Sequence, residues 1–108
     1  MKNFKNVIKK SALAPGEGTT VKIGKENVAL FNVGGAIFAI ADTCVHAGGP
    51  LGAGPLDGTI VSCPWHGWQF DVKKGCAVMS EDIRIPRYEV KVEGDKVWVS
   101  KTPIKDRL

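Results

Sequence analysis

A chain of 108 residues with 44% apolar content is one domain's worth of sequence with a modest core, and no apolar run approaches the roughly eighteen residues of a membrane-crossing helix. The net charge of +4 invites a nucleic-acid partner, but its distribution argues against one. Between Lys25 and Lys73 there is no Lys or Arg, while Glu26, Asp42, Asp57 and Asp71 all fall there; the excess sits at Lys2, Lys5, Lys9, Lys10, Lys101, Lys105 and Arg107, as two solvated ends.

The N-terminal stretch MKNFKNVIKK has no apolar segment behind its lysines, so we expect no secretory signal and a soluble cytoplasmic chain. A single helical turn over residues 9–13 would be stopped by Pro15-Gly16. Short runs of β-branched and aromatic residues then read as strands at 21–23, 28–33 and 37–40, the last two flanking Gly34-Gly35 as a hairpin turn. Residues 60–61 follow an Asp57-Gly58 turn as another strand, and 70–72 form one before Lys73-Lys74-Gly75. Tyr88, Val90 and Val92 alternate with polar residues, and Gly94-Asp95 turns the chain into Val97, Trp98 and Val99, where Trp98 is expected in the core. No stretch sustains a helical period. The expectation is an all-β antiparallel scaffold, one domain over residues 1–108, with a loop-rich subdomain at about 42–80 inserted between its hairpins.

That middle segment holds more than half of the thirteen glycines, all three cysteines, both histidines and two of the three tryptophans. An odd cysteine count without a signal peptide suits metal binding or a free thiol better than a disulfide framework. Two mixed motifs stand out, Cys44-Val45-His46 and Cys63-Pro64-Trp65-His66, each followed by glycine that lets backbone approach a bulky centre. A lone Cys is most often a small buried hydrophobe, but two Cys/His pairs at these spacings are hard to ascribe to coincidence. A structural zinc competes, since Cys₂His₂ is a legitimate tetrahedral set. Classical fingers run Cys, Cys, His, His, whereas Cys, His, Cys, His here suits a binuclear centre that takes one ligand of each kind from each loop.

The strings DTCVHAGGPL and CPWHGWQFD resemble the two cluster-binding loops of the Rieske family, and the likeness runs over nearly the whole chain. It implies an antiparallel β-sandwich carrying one [2Fe–2S] cluster, with Cys44 and Cys63 on the inner iron and His46 and His66 on the outer one. Replacing two thiolates by neutral imidazoles makes an electron easier to accept than in an all-cysteine centre. High-potential members of that family carry two further loop cysteines, joined as a disulfide, where this chain has Gly49 and Trp65. They also carry a Ser and a Tyr, donors to sulfur, where it has Trp68 and Phe70. These differences point to the low-potential, ferredoxin-like branch. The third loop of many relatives contains proline, which residues 77–83 lack, and the family motif gives Cys76 no role, so a free thiol is expected there.

The function so implied is electron transfer with no catalytic residue, between a flavin-containing reductase and a terminal oxygenase. The alternative electron-transfer setting is the Rieske-like small subunit of an assimilatory nitrite reductase; a zinc-stabilised binding module is the alternative of another class. A complete Rieske oxygenase would need a mononuclear iron on two further His and a carboxylate, and both histidines are committed. Within residues 43–70 only Asp57 is charged, so an apolar tip that exposes Pro50, Leu51 and Trp65 is the expected docking surface. Trp65 either faces the partner or packs on the cluster loops.

Overall fold

The computed structural model of the protein describes residues 3–43, 49–65 and 67–104. The strands in chain order are β1 (Phe4–Lys9), β2 (Gly18–Ile23), β3 (Glu26–Val33), β4 (Ala36–Ala41), β5 (Leu56–Asp57), β6 (Ile60–Ser62), β7 (Gln69–Asp71), β8 (Cys76–Ala77), β9 (Arg87–Tyr88), β10 (Val90–Glu93) and β11 (Lys96–Ser100). They form three antiparallel sheets, ordered β1-β11-β10, β2-β3-β4-β9 and β5-β6-β7-β8. Short 3₁₀ turns occupy Lys10–Ala12 and Leu51–Ala53. The expected all-β antiparallel architecture is therefore the one found, and no helix of the described residues is long and apolar enough to cross a membrane.

The central sheet is covered on both faces. In β3, residues Val28, Ala29, Leu30, Phe31 and Asn32 are all buried, which is why this strand reads as a continuous apolar run rather than an alternating one. Side chains leave alternate faces of the strand. Ala29 and Phe31, with Ile40, enter a core shared with Leu51, Val61, Cys63, Phe70, Val72, Ala77 and Ile85. Val28 and Leu30, with Ile37 and Ala39, enter a second core with Leu13, Ile23, Tyr88, Val97 and Val99. The β5–β8 sheet thus sits on one side of the central sheet and the terminal sheet on the other. Asn32 is the polar member of this run, and both ends of its amide are used: Nδ2 donates to the Leu13 carbonyl at 2.7 Å, and Oδ1 accepts the Gly35 N–H at 2.8 Å. The latter fixes the Gly34-Gly35 turn, whose φ angles of +60° and +101° only glycine adopts without strain.

The structure departs from the sequence reading in several places. The N-terminal residues form β1 before the 3₁₀ turn, and a bulge between Asn6 and Ile8 breaks the strict alternation that would have announced a strand. The run 88–92 is divided: Tyr88 pairs with Ala39 in the central sheet, and Val90 pairs with Val99 in the terminal one. Trp98 is not a core residue. Val97 and Val99 take the inward positions, so Trp98 lies half-buried on the outer face, opposite Lys91. On β1, Phe4 carries the Lys91 ammonium 4.8 Å above its ring.

The β10–β11 turn also holds the N-terminal segment. Asp95 accepts from the Ser11 N–H and hydroxyl, both at 2.8 Å, and its carbonyl accepts the Lys10 N–H at 2.8 Å. The Ser11 hydrogen bonds, with help from Lys9 and Lys10, hold the Asp95 carboxyl below the usual range. A lowered folded pKa contributes stability that is present above the unfolded value and lost as pH falls through the folded one. The difference in melting temperature between the protein and its Asp95→Ala variant should therefore be largest near neutrality. It should shrink below about pH 4, the ordinary aspartate pKa; a pH-independent difference would disprove the coupling.

Candidate metal centre

The second motif sits on the hairpin of β6 and β7. Ser62 pairs with Gln69, and beyond that rung the Cys63 N–H donates to the Trp68 carbonyl at 2.7 Å. The Gly67 N–H donates back to the Cys63 carbonyl at 2.9 Å, and Gly67 has φ +81°. Cys63 is thus tied by backbone hydrogen bonds to Gly67 and Trp68, and the hairpin beneath it is rooted in the core by Val61 and Phe70, both 0% exposed. Cys63 is itself buried within that core. His66 lies outside the described residues.

The first motif leaves β4 at Asp42. The Asp42 N–H donates to the Asn27 carbonyl at 3.1 Å, and its buried carboxylate accepts the Gly52 N–H at 2.6 Å. One side chain thereby ties the departure of the loop to its return, where the turn Leu51–Ala53 begins. Cys44 and His46 lie outside the described residues, so the loop's relation to the second motif is carried by Gly49. An added Cβ there would stand 2.7 Å from Cys63 Sγ and 3.1 Å from both Cγ and Cδ2 of Trp65. Only a residue without a side chain fits between those groups. The two motif-bearing segments therefore meet at the sulfur of Cys63. A cysteine sulfur at the floor of a glycine-lined junction between them suits a sulfur-ligated centre, so the residues present fit the group that the donor set implies.

A third segment closes the site's flank. The Ala77 N–H donates to the Ile83 carbonyl at 2.8 Å and the Val78 N–H to the Gln69 carbonyl at 2.9 Å, so residues 77–83 fold over β7 without proline. Val78 and Met79 are 52% and 60% exposed, and with Gly67, Trp68 and Gln69 they line a shallow groove beside the second loop. Trp65 is 64% exposed. Leu51 is not part of this surface: it is 0% exposed, because the 3₁₀ turn it opens lies in the core. The exposed apolar surface is therefore built by Trp65 from one loop and Val78 and Met79 from another. Absence of charge does not mark the latter pair, because Glu81 and Asp82 follow it in the chain.

Cys76 is buried and free. Phe70 faces Ala77 across β7 and β8, and both belong to the core that holds Cys63; Asp71 faces Cys76 one residue along, on the opposite face. Cys76 thus points away from the candidate centre, among Ile60, Asp71, Lys74 and Glu81.

The profile of the Rieske [2Fe-2S] domain matches residues 3–89. The ferredoxin component of biphenyl 2,3-dioxygenase from Rhodococcus jostii (strain RHA1) is 40% identical over 88 residues, covering 81% of this chain and 82% of that protein. The ferredoxin component of a naphthalene 1,2-dioxygenase system from Pseudomonas aeruginosa is 39% identical over 85 residues, covering 76% and 78%. Among solved structures, a chain in the complex of reduced oxygenase and oxidised ferredoxin of carbazole 1,9a-dioxygenase superposes with a TM-score of 0.89 at 30% identity, covering 98% of this chain and 100% of that one.

The clasp at the foot of the first loop is open to test. Replacing Asp42 by Ala leaves the Gly52 N–H without its acceptor, a loss of about 1–3 kcal/mol for a buried donor. Urea unfolding of the Asp42→Ala variant should register that loss; a change below about 0.5 kcal/mol, the scale of an ordinary surface substitution, would mean that water replaces the carboxylate at no cost.

Proposed function

Because this chain belongs to the Rieske [2Fe–2S] domain family and carries one such cluster, we propose that it is the ferredoxin component of an oxygenase system, moving single electrons from a flavin-containing reductase to a terminal oxygenase. The observation that carries this reading is the match to ferredoxin components over about four-fifths of both chains, beside a buried Cys63 sulfur that the first loop meets at a glycine. On this reading the chain is an electron carrier with no catalytic residue of its own. It is one domain over residues 1–108, with the cluster-binding part at about 42–80. Its setting is the cytoplasm, where a free buried thiol such as Cys76 is kept reduced.

We assign Cys44 and Cys63 to one iron and His46 and His66 to the other. When bound, the cluster supplies a one-electron couple whose potential is raised by its neutral imidazoles. The protein's part is to hold and shield it. The hydrogen bonds of Cys63 with Gly67 and Trp68 fix Cys63, the Asp42 carboxylate fixes the loop that bears Cys44 and His46, and the core around Phe70 and Leu51 keeps water from the inner side. At position 70 a phenyl ring offers no donor to sulfur, so nothing at that position stabilises the more negative, reduced state. Trp65, Val78 and Met79 provide the apolar contact through which a partner would approach the histidine side.

Two experiments test this. The reduced protein should give the rhombic EPR signal of a mixed-ligand [2Fe–2S] centre, with a midpoint in the lower third of the roughly −150 to +300 mV Rieske range. Ala at His46 or His66 should abolish that signal, and Cys76→Ser should leave it intact. A midpoint above about +100 mV would refute the low-potential assignment, and a signal that survived His66→Ala but not Cys76→Ser would refute the ligand set. Docking is tested by Met79→Asp, which should weaken the complex with the terminal acceptor about five- to thirtyfold, as loss of a contact worth 1–2 kcal/mol would. Transfer by the unaltered protein should depend only mildly on salt. A hundredfold fall between low and moderate ionic strength, on the order expected of steered association, would move the docking surface to the basic ends.

A further inference from the structure

Among the described residues, hydrogen bonds brace each ligand-bearing loop: Asp42 to Gly52 in the first, and Cys63 to Trp68 and Gly67 in the second. Gly49 is where the loops meet. It is buried although Trp65, the residue against it, is 64% exposed. One part of the indole therefore rests on the Gly49 backbone while the rest faces solvent. We propose that Trp65 is a positioning residue for the cluster: its indole packs on Gly49 beside the Cys63 sulfur and acts as a latch that keeps the first loop seated there.

The geometry at Gly49 carries this. A Cβ there would meet Cγ and Cδ2 of Trp65 at 3.1 Å, closer than real Cβ contacts ordinarily come, so the ring lies almost directly on the glycine backbone. The same Cβ would meet Cys63 Sγ at 2.7 Å. The indole and the sulfur thus lie side by side against one face of Gly49, and a displaced ring would remove half of the seat on which the first loop packs. An exposed tryptophan with no packing role gains nothing from losing its rotamer freedom against backbone. A purely partner-facing Trp65 would have no need of Gly49, and the two roles separate experimentally. Cγ and Cδ2 are also the ring atoms nearest the main chain, and a phenyl ring puts carbons in nearly the same places. Phe should therefore restore the latch where Ala does not.

This inference rests on the assignment of Cys63 as a cluster ligand, and the test uses the isolated holoprotein with no redox partner present. The rate at which a strong iron chelator bleaches the visible absorbance is measured for the unaltered protein, Trp65→Ala and Trp65→Phe, together with the EPR spectrum of each reduced form. Trp65→Ala should lose its iron about tenfold faster, with shifted g-values, as expected when a residue that orients ligands is removed. Trp65→Phe should stay within about twofold of the unaltered rate, with its g-values. If Trp65→Ala is recovered without iron, reconstitution with ferrous iron and sulfide replaces the chelator assay. Uptake by Phe but not by Ala then supports the latch, and failure of both overturns it. Unchanged bleaching and EPR in Trp65→Ala would overturn the latch while leaving the cluster assignment standing. Absence of a Rieske signal from the unaltered protein would instead remove the assignment and the latch together.

Discussion

Burial of β3 on both faces is the constraint on which the rest of the molecule depends. A strand in that position satisfies its backbone through its neighbours and offers a side chain in each direction at every second residue. Phe31 and Ala29 give the β5–β8 sheet something to pack against, and Val28 and Leu30 do the same for the terminal sheet. Fully burying a side chain such as Phe31 or Leu30 is worth about 1.5–3 kcal/mol. A few of them on each face outweigh any single surface hydrogen bond. The loops that bear the candidate ligands need little intrinsic stability of their own, because their roots, Asp42 at one end and Val61 and Phe70 at the other, are anchored in or beside this layer.

The same layering separates charge from chemistry. The terminal sheet carries Lys5, Lys9, Lys91 and Lys96 in its strands, and the central sheet stands between it and the layer that holds Cys63. The loop that presents Trp65 carries no charged residue, and the neighbouring segment that presents Val78 and Met79 also carries Glu81 and Asp82. A partner held close is held by short-range apolar contact.

Much of this was legible in the sequence, and the exceptions have physical causes. The hairpins around Gly34-Gly35 and Gly94-Asp95 announce themselves because a two-residue turn demands positive φ and the chain places glycine there. The Cys/His spacing points to a metal centre because few arrangements put one thiol and one imidazole on each of two glycine-rich loops, and the resemblance of those loop strings to a known family supplies the rest. β1 was hidden by its bulge, and β5, β8 and β9 are two residues long, too short for periodicity to register. Trp98 was misplaced because an aromatic residue among valines says nothing about which of two faces it takes. Leu51 was misplaced for a related reason: absence of charge marks a stretch that avoids ions, and a buried 3₁₀ turn and an exposed tip avoid them alike. The contact of Gly49 with Trp65 could not be read from sequence at all, since it joins two loops through space.

The pairing of β4 with β9 has one more implication. The chain departs from the central sheet after Ala41 and returns beside its own point of departure, with the Ala41 N–H donating to the Pro86 carbonyl at 2.9 Å. Everything between is an excursion through a neck two strands wide. For such a closed path the entropy of closure grows only logarithmically, and doubling its length adds about 0.6 kcal/mol. Insertions at exposed tips beyond the neck, such as the one at Val78 and Met79, are therefore nearly neutral for the scaffold, whereas Leu51, Val61, Phe70, Val72, Ala77 and Ile85 of the same excursion are core residues and hold their places. Tip length and shape can vary while the packed layer beneath them keeps its form.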